Sequence, residues 1–92
     1  MGVGLEIAIE KHREDEAEAV YTFLVREGRG GLAVPSATGR RGKVSLSKAT
    51  GDVTLQEPCP DDTGNVVFSR VVGVLKRHWK VGEYPSITWW AG

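Results

Sequence analysis

Two histidines, His12 and His78, are where any search for chemistry in this chain begins. Neither has the neighbours that catalysis or metal binding requires. His12 lies in a run of charged residues, the setting of a solvated surface side chain. His78 precedes Trp79 near the end of a predicted helix, where the helix dipole favours a cation. A His-x-x-x-His ligand pair is absent from the sequence. The single cysteine, Cys59, sits between Pro58 and Pro60. It has no partner for a disulfide or a cysteine metal cluster, and no helix start to activate its thiol, so a structural role is expected.

The serines fare no better, because none lies in a Gly-x-Ser-x-Gly turn that would present a nucleophile. The segment Ala37-Thr38-Gly39-Arg40-Arg41-Gly42-Lys43-Val44 fails as a phosphate loop. That motif needs glycine at 37 and a hydroxyl at 44. Gly2-x-Gly4 precedes a strand instead of following one, so it is no dinucleotide fingerprint. Asp61 and Asp62 read as helix-cap residues, and Glu14-Asp15-Glu16 as a solvated turn. The sequence therefore assigns no catalytic residue, no metal ligand and no cofactor. A small enzyme using His78 or the aspartates is kept only as an alternative.

Two groups of residues suit binding better. Arg26, Arg29, Arg40, Arg41 and Lys43 flank the glycine-rich segments, and with Glu27 they give residues 26–43 a net charge of +4. Such a block could hold an anion or nucleic acid. It is offset by residues 10–18, where five acids face Lys11 and Arg13, and over the chain twelve basic residues balance twelve acidic ones. A dedicated nucleic-acid module is thus less favoured than a protein-binding one. The second group is Tyr84, Ile87, Trp89 and Trp90. Adjacent tryptophans on an extended segment point to opposite sides, so one is expected to cover the core while the other anchors an interface. The resulting expectation is a non-catalytic protein-binding or accessory domain, with a protein partner or a second copy of itself.

These groups must be positioned by a small framework. Ninety-two residues, 40% of them apolar, make one domain with one modest core. No apolar run approaches the length of a membrane span, and the N-terminus lacks the basic and apolar regions of a signal peptide. A cytoplasmic location is the default expectation.

Val3, Leu5, Ile7 and Ile9 alternate with small or charged residues and predict a half-buried strand. The cluster Val20-Tyr21-Thr22-Phe23-Leu24-Val25 predicts a second strand over 19–26, joined to the first by a charged loop; a helix from Arg13 is the competing reading. A turn at Arg29-Gly30-Gly31 leads to a short strand, Leu32-Ala33-Val34. Val44, Leu46, Val53 and Leu55 flank Ala49-Thr50-Gly51-Asp52 and predict a hairpin. Keeping all four on one face is expected to set Leu46 opposite Leu55 and Lys48 opposite Val53.

Phe68, Val71, Val72, Leu75 and Trp79 form one helical stripe, with Asp61-Asp62-Thr63 as cap candidates and Gly82 as the stop. Residues 83–92 read as an extended tail. The expected fold is α+β: a meander of about four antiparallel strands with one C-terminal helix packed on one face.

Overall fold

A computed structural model describes residues 4–29, 32–35, 41–59 and 65–91. The chain is α+β, with an antiparallel sheet and one helix. In order it forms β1 (Gly4–Glu14), β2 (Glu18–Arg29), β3 (Leu32–Pro35), β4 (Arg41–Ser47), β5 (Val53–Glu57), α1 (Val66–Lys80) and β6 (Ile87–Ala91). The strands lie in the order β5-β4-β2-β1-β6, and β3 pairs with the C-terminal part of β2. The meander is followed by a crossover through α1, which returns the chain to the far edge beside β1. The tail expected over 83–92 therefore ends in a paired edge strand.

The alternation in β1 and β2 decides which face is covered. Ile7 lies opposite Val25 and Ile9 opposite Phe23, while Tyr21 lies opposite Val44 and Ala19 opposite Leu46. All of these are fully buried, together with Val67, Val71, Val74 and Leu75 of the helix. The sheet and helix thus enclose a single apolar layer, which no charged side chain among the described residues enters. Tyr21 and Phe23, whose alternation would also have suited stacking on nucleic-acid bases, belong to this layer. Gly42 lies opposite Phe23, and any Cβ there would press on the Phe23 ring and come within 2.6 Å of the Glu57 carbonyl oxygen.

Four sequence expectations need correction. The charged segment after Glu10 is strand as far as Glu14, and only Asp15–Ala17 turns the chain. Its charges are tolerated because they pair at the surface. Arg13 bonds Glu18 at 3.0 Å, and Glu14 accepts from Lys11 at 2.6 Å and from Lys48. Asp15 then closes the turn by accepting from the backbone N–H groups of Ala17 and Glu18 at 2.8 and 2.9 Å.

The hairpin register is displaced by two residues: Val44 faces Leu55 and Leu46 faces Val53. A two-residue slip preserves the face, so hydrophobic patterning could not distinguish the two registers. The Lys48–Gly51 loop decides the matter. Ser47 N–H bonds the Asp52 carbonyl and Gly51 N–H bonds the Ser47 carbonyl, both at 2.8 Å, with Gly51 at φ 77°.

The helix is rotated from its expected stripe. Val67 and Val74 are buried beside Val71 and Leu75, whereas Phe68 and Trp79 flank the core and Val72 is half-buried. Its N-cap is Asn65, at φ 57° and without a side-chain cap bond, and so is not one of Asp61, Asp62 and Thr63, which lie outside the described residues. The C-terminus ends as expected at Gly82. Glu83 N–H reaches the His78 carbonyl and Gly82 N–H the Trp79 carbonyl, both at 3.0 Å, which is a Schellman closure. No described helix is long and apolar enough to cross a membrane.

Candidate interaction face

With α1 occupying one face of the sheet, no helix among the described residues lies over the other face. The pairing register arranges its side chains in rows across the strands. One row runs Ile87, Glu10, Thr22, Lys43, Glu57; the next runs Trp89, Ala8, Leu24, Arg41. Between them lies a hollow of about 330 Å³ bordered by Glu10, Thr22, Leu24, Arg41, Lys43 and Trp89. Ile87 and Trp89 are 51% and 45% exposed, large values for such apolar side chains.

The charges on this face are unevenly committed. Lys43 Nζ lies 2.8 Å from Glu57 and holds that carboxyl below its usual range. Among the described residues, Glu10 and Arg41 have no ion pair. The face therefore presents an uncommitted carboxylate on β1 and an uncommitted guanidinium on β4, with Thr22 and Leu24 between them.

The four aromatic-tail candidates divide between the faces. Ile87 and Trp89 lie on the open face. Trp90 lies opposite Ile7 on the helix side, with the Arg70 guanidinium 4.9 Å from its ring centre. Tyr84 is half-buried and occupied internally. Lys48 stands 4.7 Å from its ring centre, and Lys11 Nζ donates to its carbonyl at 2.9 Å. The adjoining residues are fastened too: the Tyr21 hydroxyl donates to the Pro85 carbonyl at 3.0 Å, and Lys11 N–H to the Ser86 carbonyl at 2.8 Å. The segment before β6 is thus a docked connection.

The basic candidates also separate. Arg41 and Lys43 lie on the open face, in β4. Arg26 and Arg29 occupy β2 opposite Pro35 and Leu32, and Arg40 lies outside the described residues. His78 Nε2 is 3.0 Å from the Thr88 hydroxyl, and Nδ1 is 3.8 Å from Glu83, so this ring joins the helix end to β6. Asp15 and Asp52 serve their turns, while Asp61 and Asp62 lie outside the described residues. Cys59 is buried against the core. His12 is exposed.

Sequence reasoning missed Ala8, Glu10, Thr22 and Leu24. Their signal was the second phase of the β1 and β2 alternation, which assigns them to the face away from the core. Nothing in that phase says that a helix covers only one side. Compared with known proteins, the chain matches no family model, no curated protein and no solved structure.

Proposed function

We propose that this is a non-catalytic protein-binding domain whose working surface is the open sheet face. The observation that carries the reading is the hollow bounded by Trp89, Leu24, Glu10 and Arg41. Tryptophan and arginine are the residue types that dominate protein interfaces, above all where they border a concavity that can be desolvated. Leu24, Ile87 and Trp89 in its lining supply apolar area, and the separated charges at Glu10 and Arg41 supply orientation.

Anion or nucleic-acid binding has less support from the same geometry. Lys43 is held by Glu57, and Glu10 would repel phosphate from the hollow. Catalysis has less still, because neither His78 nor an aspartate lines this hollow, and the His78 ring is engaged with the Thr88 hydroxyl at 3.0 Å.

The test is affinity capture with the tagged chain, with and without nuclease, using the native protein and Leu24→Glu. This substitution places a charge at the centre of the open face without touching the core. A stoichiometric protein that survives nuclease and is lost with Leu24→Glu supports the reading. Capture that disappears with nuclease sinks it in favour of nucleic acid.

A further inference from the structure

We propose that the outward face of α1 binds the phosphate backbone of a nucleic-acid duplex, independently of the open sheet face. At about 100° per residue, Ser69, Arg70, Gly73, Lys76, Arg77 and Lys80 fall within one sector of about 120°. All six are exposed. The opposite side of the helix is committed to the core through Val67, Val71, Val74 and Leu75. Within the sector, Arg70 and Arg77 stand two turns apart on one side of Gly73, and Lys76 and Lys80 one turn apart on the other. No Asp or Glu occurs between Val66 and Lys80. Among the described residues, none of the four cations has an ion pair. Arg70 lies over the Trp90 ring at 4.9 Å, and a stacked guanidinium keeps its in-plane N–H donors for an oxygen acceptor.

Several residues of this face work against the helix that carries them. Gly73 sits in the middle of α1, where glycine is less stable than alanine. A Cβ there would meet nothing within 4 Å, so no packing demands the glycine. Lys76 and Lys80 are like charges at i, i+4, which repel. The helix dipole accounts for Arg77 and Lys80 in the last turn. It accounts neither for Gly73 nor for Arg70 in the first half of the helix. Local choices that oppose the fold without structural return mark functional positions. Here they converge on one place. A residue without a side chain, between two rows of cations, forms a seat where a row of phosphates can approach the helix backbone.

The chemistry of the seat selects its partner. A protein interface has apolar or aromatic anchors at a centre depleted of charge. This sector has a glycine at its centre and one apolar side chain, Val66, at its N-terminal end. A membrane surface takes up the apolar face of a helix, and that face of α1 is buried against the sheet. Single strands are held by stacking on aromatic side chains, and none stands in the sector. A duplex asks only for cations and close approach. Its backbone carries one charge per about 1.7 Å of axis, and Arg70 to Lys80 spans about 15 Å. Such contacts fix position without reading sequence.

Fluorescence anisotropy of labelled random-sequence DNA and RNA duplexes, titrated with the purified chain over a range of salt, tests the assignment. Four phosphate contacts are expected to give a slope of about −3.6 in log affinity against log salt. Lys76→Gln and Arg77→Gln are each expected to make that slope shallower by about one and to weaken all sequences alike. Gly73→Leu is expected to weaken binding about tenfold or more while raising the urea midpoint, because leucine is the better helix former. That opposition separates the seat from any role in folding. Failure of both duplexes to bind at about 100 μM chain in low salt overturns the inference. So does binding that survives the combined Lys76→Gln, Arg77→Gln and Lys80→Gln variant, or that ignores Gly73→Leu. Displacement of the duplex by polyglutamate at equal charge concentration also overturns it, and gives the face to an acidic protein.

Discussion

The indole of Trp79 lies directly against Gly51, and its Nε1–H donates to the Lys48 carbonyl at 2.9 Å. One helical side chain thereby clamps the β4–β5 loop, which holds the hairpin in its observed register. A Cβ at Gly51 would stand 2.7 Å from the Trp79 ring on a backbone at φ 77°. Gly51→Ala should cost about 2–4 kcal/mol, the combined effect of left-handed backbone and overpacking. Urea unfolding measures it. In a Trp79→Leu background the same change should cost only the backbone part, and equal costs in both backgrounds would show that the ring is not the obstacle.

Leu75 is fully buried between the helix and the sheet. Leu75→Ala should destabilise the fold by roughly 2–5 kcal/mol through lost burial and the cavity left behind. A neutral effect in denaturant unfolding would contradict the placement of α1.

The Tyr21 hydroxyl is held by the Pro85 carbonyl, and burial pushes its pKa from 10.0 up to about 12. The neutral phenol is the form that the fold favours. Its contribution is complete below pH 10 and is lost as pH rises from 10 towards 12. Tyr21→Phe should cost about 1 kcal/mol at neutral pH through the lost hydrogen bond. It should also flatten the alkaline limb of stability, followed as the unfolding midpoint from pH 9 to 12.

Acid should act on the turn end of the β1–β2 hairpin. Lys11 and Lys48 hold the Glu14 carboxyl below its ordinary 4.5. Backbone N–H groups hold Asp15 below 3.8, and Ser45 with Arg13 holds Glu18 below 4.5. Each supports the fold above its ordinary value and loses that support as pH falls through its lowered one. These groups are exposed, so the loss is gradual and shrinks in salt. A pH titration of the urea midpoint should fall below pH 4.5, and Glu14→Gln should make the fall shallower.

The sheet was legible wherever alternation had a buried side. Ile7, Ile9, Phe23 and Val25 announced their strands, and Leu75 with Val71 announced the helix. The register of the β4–β5 hairpin was not legible, because a two-residue slip keeps the same apolar face, and the loop that selects the register is further held by Trp79 from about thirty residues away in sequence. The reach of β1 to Glu14 was hidden as well, since its last residues are stabilised by cross-strand ion pairs instead of apolar contact. Of the candidate face, Ile87, Trp89, Arg41 and Lys43 could be named from residue type. That Glu10 and Leu24 join them follows only from the pairing of β1, β2 and β4, which no local pattern encodes.

Trp89 and Trp90 are separated by one peptide bond yet report on opposite sides of the sheet. Trp90 senses the docking of the helix through the Arg70 cation above its ring. Trp89 senses the solvent or whatever replaces it. The pair is a built-in two-channel fluorophore. With Trp79 and Trp90 replaced by phenylalanine, a blue shift of the remaining emission follows the arrival of a partner. With Trp79 and Trp89 replaced, the remaining emission follows the opening of the fold.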